Sequence, residues 1–298
     1  MMNKGKIYKY DDPFKAMARA HQFEYRENIL GDFNDERNPQ VILTADASRA
    51  GLNFYEWCRE YIRKKMPSGK FTAAALCSNM LRSEHIPYNV FTPMEFDLDS
   101  ARDLFGNLIK QQIAKVLDIK IEYAGNPLEK DKYLGDGTSF DAYVLYEMED
   151  GSRGGIGIEV KYTEKEYPLG KIEEQSIKDT GHRYHQITPK SQYYTPELDI
   201  HRFLKDHHLR QIWRNHILGY SMVEKGDISK FHHIHLYPDG NTHFRDKALP
   251  EYKNLLTEKG EESFIDLTYE EMFAQMRKYF KSEEQRKWID YLYERYLW

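Results

Sequence analysis

Two short runs decide how this chain is read: Ser139-Phe140-Asp141 and, after a turn, Gly157-Ile158-Glu159-Val160-Lys161. In an extended strand alternate side chains share a face, so Glu159 and Lys161 project together while Ile156, Ile158 and Val160 face the other way. Gly155 and Gly157 fall on the ionic face and leave it bare, a surface suited to close approach of a substrate backbone. Glu149-Asp150-Gly151-Ser152 is a hairpin turn between predicted strands at 139–147 and 154–162. Antiparallel pairing across it brings Asp141 toward Glu159 and Lys161. Two adjacent carboxylates suit a hard cation, Mg²⁺ or Mn²⁺, with water and phosphate oxygens completing its shell. Such a cation acidifies water and offsets phosphate charge, and a neighbouring Lys orients that water or meets developing negative charge.

An E-x-K triplet alone is common on exposed, salt-bridged strands, so the surroundings matter. After an Asp cap at Asp99, Ala101, Leu104, Phe105, Leu108, Ile109, Ile113, Val116 and Leu117 form a helical stripe. Strands are then predicted at 119–124, 139–147 and 154–162, a helix at 207–223, and a strand at 231–237 closed by Pro238-Asp239-Gly240. Upstream, helices are expected from Asp12-Pro13 to about Leu30, at 53–66 and at 72–82. Downstream, the apolar spacing around Met272 and Trp288 predicts two more. The expectation is one elaborated α/β domain over 1–298, with helical additions at 1–98 and 241–298 around a core at 99–240.

This order of elements, with Asp141, Glu159 and Lys161, resembles the PD-(D/E)XK nuclease superfamily. The resemblance implies a restriction-endonuclease-like core of helix, three strands, helix and strand, with metal-binding acids on the second and third strands. Phe140 stands where the family's name has Pro. Gln211-Ile212-Trp213-Arg214-Asn215-His216 and the run at 83–91 are similar to a bacterial group of restriction-endonuclease-like proteins. The resemblance, over roughly 70–240, implies a metal-dependent nuclease with DNA as substrate. A nuclease fold kept as a binding module without catalysis, and an RNA-directed nuclease, are the alternatives.

Further site residues follow from spacing. Gln211, Arg214 and Asn215 can share a helix face, with Gln211 steadying Lys161 or the attacking water and Arg214 contacting phosphate; a purely structural polar face is the competing reading. The resemblance also implies an extra metal-binding acid from an upstream helix, for which Glu84 is the candidate, with Glu95 its competitor. The stretch 163–206 shows little periodicity and reads as a long irregular connection. Its cations and aromatics, Arg183 and Tyr184 among them, suit a nucleic-acid backbone and its bases, or else a solvated cover over the sheet. His232, His233 and His235 lack acid or Cys partners at ligand spacing and are read as packed strand residues.

Composition sets the outer bounds. The 298 residues are 40% hydrophobic, 31% charged and 14% aromatic, with 23 Tyr, which marks a globular chain. A net charge of −5 argues against a protein that coats nucleic acid nonspecifically, though not against a carboxylate-rich nuclease site. Long uncharged apolar runs are missing, the opening residues 1–6 run into polar sequence, and Cys58 and Cys77 are the sole cysteines, so a cytoplasmic location without membrane partners is expected. No P-loop or serine-hydrolase elbow occurs. Cutting both strands of a duplex makes a homodimer a reasonable expectation.

Overall fold

In the computed structural model residues 8–33, 41–66, 68–125 and 132–298 are described; the opening run at 1–6 lies outside them. One sheet runs β1 Lys115–Tyr123, β2 Phe140–Glu147, β3 Arg153–Val160, β4 Lys230–Tyr237 and β5 Phe264–Thr268, in that spatial order. β1 to β3 form an antiparallel meander, while β4 lies parallel to β3 and β5 parallel to β4. The β2–β3 turn is the one expected: Gly151 takes φ 80° and Asp150 Oδ1 accepts from Ser152 N at 2.9 Å.

Both faces of the sheet are covered, so β3 is buried from Gly154 to Val160. Ile156, Ile158 and Val160 pack into a core shared with Leu104, Phe105, Met272, Trp288 and Leu292, from the helices Leu98–Leu108, Tyr269–Tyr279 and Glu283–Tyr296. The other face belongs to the helix His207–Glu224, whose Ile212, Trp213 and Ile217 pack with Phe140, Tyr143 and Phe231. This helix lies close because Gly219 has no Cβ; one there would collide with the Phe231 ring. Gly155 and Gly157 serve the same purpose, which corrects the expectation of a bare substrate-facing surface. The Tyr143 hydroxyl and the Phe140 ring fill the space above them.

The helix–three strands–helix–strand order is present, with differences that have physical causes. The first core helix is capped by Asp97, not Asp99, which accepts from Ser100 N at 3.0 Å. It ends at Leu108, where the chain turns through Lys110 at φ 53°. Val116 and Leu117, read as the end of the helical stripe, belong to β1, where a bulge between Val116 and Asp118 interrupts the alternation. The stretch 163–206 is not irregular: it holds helices Lys171–Lys178 and Arg183–Ser191 and a 3₁₀ turn Ile200–Leu204. These are short, and one carries an internal Pro189, so periodicity is weak. Of the helix expected at 72–82, Ala75–Ser78 is helical, and of 53–66 a 3₁₀ turn Glu56–Cys58 and the helix Arg59–Lys65. β5, five residues at the sheet edge, was not anticipated.

Candidate active site

The register sets three carboxylates side by side. Ile121 pairs with Ala142 and Tyr123 with Phe140, which sets Glu122 opposite Asp141. The β2–β3 ladder closes at Ala142–Ile158, and one step beyond it Asp141 meets Glu159. There the Asp141 carboxylate replaces a backbone acceptor, taking the Val160 N–H on Oδ2 at 2.7 Å. Across the parallel pair, Glu159 stands beside His235 of β4. Glu122 itself is bent into the left-handed region, φ 55°, which disfavours any residue with a Cβ. Sequence reasoning missed Glu122; counting two residues per repeat along the predicted strand 119–124 and pairing it with 139–147 would have found it.

Lys161 is fixed from every side. Its N–H donates to Leu236 O at 2.8 Å, and its carbonyl accepts from the Tyr269 hydroxyl at 2.6 Å. Its ammonium pairs with Glu159 Oε1, donates to Gln211 Oε1 at 2.8 Å and lies 4.7 Å from the centre of the Tyr167 ring. One helical turn beyond Gln211, Asn215 Nδ2 donates to Glu159 Oε2. Gln211 and Asn215 therefore share a face, as i and i+4 should. Glu159 and Lys161 are 1% and 3% exposed, while Asp141 is half-buried and Glu122 stands at the exposed edge of the cluster.

The electrostatics are unbalanced. Burial, and then the charge of Glu159, push the Asp141 carboxyl well above the usual carboxylate range, against the opposing pull of Lys161. Burial also raises Glu159, although Lys161 and Asn215 favour its charged form. At Glu122, burial and then Glu159 raise the carboxyl. Burial disfavours the Lys161 ammonium, but Glu159, Tyr167 and Asp141 outweigh it, and the amine stays protonated far into the alkaline range. His235 is fully buried with neither ring nitrogen partnered, and burial together with the neighbouring His233 and the Lys161 ammonium keeps it neutral.

Other predicted residues are elsewhere. Arg214 forks onto Asp136 Oδ2, through Nε at 2.9 Å and Nη2 at 2.7 Å, with its third nitrogen on Glu173. Arg183 pairs with Glu224 at 2.7 Å. Tyr184 is wholly buried and gives its hydroxyl to Asp136, so it is no exposed platform for a base. Tyr193 and Tyr194 are buried too. Glu84 is held by Arg82 at 2.5 Å, and its charge reaches the site as a contribution at Glu122. Glu95 is taken by Lys65 and Tyr61. Glu164, unremarked in sequence, joins the Ser83 N–H at 2.8 Å to the Tyr162 N–H at 3.0 Å and docks the 83–85 turn on the end of β3. Among the described residues no cluster of three His, Cys, Asp or Glu side chains has metal-ligating spacing.

A family model described as the PD-(D/E)XK nuclease superfamily matches residues 9–298. The chain belongs to the PD-(D/E)XK nuclease superfamily. The five-stranded sheet flanked by helices agrees with that fold, and the match extends well beyond the 70–240 span that carried the sequence resemblance. In this PD-(D/E)XK chain the position before the Asp is Phe140, whose buried ring occupies the space over Gly157. No curated protein and no solved structure matches the chain. Among the described residues no helix is long and apolar enough to cross a membrane.

Proposed function

We propose that this PD-(D/E)XK chain hydrolyses phosphodiester bonds in DNA, with Asp141 and Glu159 as holders of Mg²⁺ or Mn²⁺. The observation that supports this reading is the pair itself: two carboxylates on adjacent strands, both raised in pKa by burial and Asp141 further by the charge of Glu159, next to a protonated Lys. That donor set fits a hard divalent cation, because two oxygen donors repel one another and Lys161 offsets them only in part. When bound, the cation supplies charge neutralisation at the phosphate and acidifies water.

The remaining roles belong to the chain. Lys161 keeps its proton on Nζ, so it serves as a fixed cation for negative charge developing on phosphate rather than as a base. Gln211 orients that ammonium and Asn215 orients Glu159. Lys161, Lys165, Arg210 and Arg214 line one pocket of about 200 Å³ together with the acids Glu166 and Glu173, which leaves phosphate a locally cationic approach in a chain of net negative charge. Arg214 reaches phosphate by exchanging Glu173 for it.

One observation favours a second reading, a nuclease fold that binds nucleic acid without cutting. The Lys161 ammonium is committed to Glu159 and Gln211 and nearly sealed from solvent. Cleavage of supercoiled, linear and single-stranded DNA, and of RNA, with Mg²⁺ or Mn²⁺ separates the readings. Metal-dependent cutting that disappears in both Asp141→Ala and Lys161→Ala is expected. Folded protein that binds these substrates but cuts no better than the variants would give the place to the binding module. The share of linear over nicked product reports whether two chains act together.

A further inference from the structure

We infer that the cleft beside Trp298 is a base-stacking subsite for an unpaired stretch of the substrate strand, which makes single-stranded or frayed polynucleotide the preferred substrate. The direction of the strand rests on the phosphodiesterase reading; the subsite has its own grounds. The cleft encloses about 470 Å³ between the helix Pro13–Asn28 and the loop after β4. One wall is aromatic: Phe14 and Trp298 stack with centroids 5.4 Å apart at 24°, and Trp298 stays 47% exposed. An exposed flat ring of this kind matches the π-face of any nucleobase.

Charge decides which part of a nucleotide enters. Asp12, Asp239 and Glu270 line the cleft, so it repels a phosphate and suits the amino donors of a base edge. His243 lines it as well, and its Nε2 has no partner. Lys165 borders both this cleft and the pocket that contains Lys161, with its ammonium 2.8 Å from Asp12 Oδ2. A backbone phosphate at Lys165 therefore has a stacked base on one side and the carboxylate site on the other. Paired bases stay inside a duplex and cannot reach Trp298, which is why the strand is unpaired.

The test is fluorescence anisotropy of the full chain with labelled ten-nucleotide deoxycytidine or cytidine oligomers, whose bases carry an amino donor, and with a matched duplex, without divalent cation so that binding is read apart from cutting. Trp298→Ala is expected to weaken single-strand binding about tenfold, Trp298→Phe to restore it, and duplex binding to stay unchanged. The DNA and RNA arms rank the two sources of the same stacking chemistry. Unchanged single-strand affinity in Trp298→Ala, or an equal loss for duplex, overturns the subsite. Trp298-dependent binding without cleavage in Mg²⁺ defeats the phosphodiesterase reading and leaves the subsite standing; cleavage with Trp298-independent binding does the reverse.

Discussion

Asp136 and Asp141 stand five residues apart at the entry to β2, and their carboxyls are driven in opposite directions. Burial raises both. At Asp136 the Arg214 fork, the Tyr184 hydroxyl and two bonds from Thr138, at 2.9 and 2.7 Å, outweigh burial and hold the carboxyl below its usual range. Asp141 has the Val160 N–H and a share of Lys161, set against Glu159 and Glu122. The first cluster is saturated and fastens the helix His207–Glu224 to the loop before β2. The second leaves negative charge unmet, and such incomplete balance is a feature of functional carboxylates.

The sharpest way to break this contrast is to unbalance the saturated cluster. Arg214→Ala leaves Asp136 buried without its cation and is expected to cost about 3–5 kcal/mol of stability in urea denaturation. A loss below about 1 kcal/mol would mean that Arg214 does not hold the Asp136 cluster together. Lys161→Ala should act in the opposite sense, with cleavage falling at least about a hundredfold, roughly 2.7 kcal/mol at the transition state, and the fold retained by circular dichroism. Tyr184→Phe removes one bond to a charged acceptor and is expected to lower stability by about 1.5–3 kcal/mol, while steady-state cleavage by the folded fraction is unchanged.

The smallest effect has the more informative sign. Because the Asp141 carboxyl is raised, its folded form prefers the proton. That contribution to stability is present below the usual carboxylate range and lost as pH climbs through the raised value. Asp141→Asn keeps an acceptor for Val160 N and escapes the loss. Without divalent cation at neutral pH it should therefore be more stable than the native chain by about 1 kcal/mol. The advantage should close as pH falls toward the usual carboxylate range, in melts recorded across that window; a variant less stable throughout would show Asp141 to be a structural acid.

The fold was legible where periodicity is strong and local. The alternation through Ile156, Ile158 and Val160, the turn at Gly151 and the length of the core helix each state their geometry in sequence. β5 was not legible, since five residues at a sheet edge carry too little pattern. Asp141, Glu159, Lys161 and Gln211 could be placed together because each sits at a countable step on a strand or helix. Arg214, Arg183 and Tyr184 could not be assigned that way: a cation or an aromatic advertises a substrate contact until its partner is known. Their partners, Asp136 and Glu224, come from distant segments that no spacing rule connects. Glu122 was hidden for a related reason, as it acquires meaning only from the β1–β2 register.

The most direct test of the central claim is thermal melting of the native chain, Asp141→Asn and Arg214→Ala with and without Mn²⁺, since a ligand that binds only the folded state raises its melting temperature. The account predicts a rise for the native chain, none for Asp141→Asn, and a rise from a lower starting point for Arg214→Ala. An unchanged native melting temperature at saturating Mn²⁺, or an equal rise in Asp141→Asn, would contradict a metal site at Asp141 and Glu159.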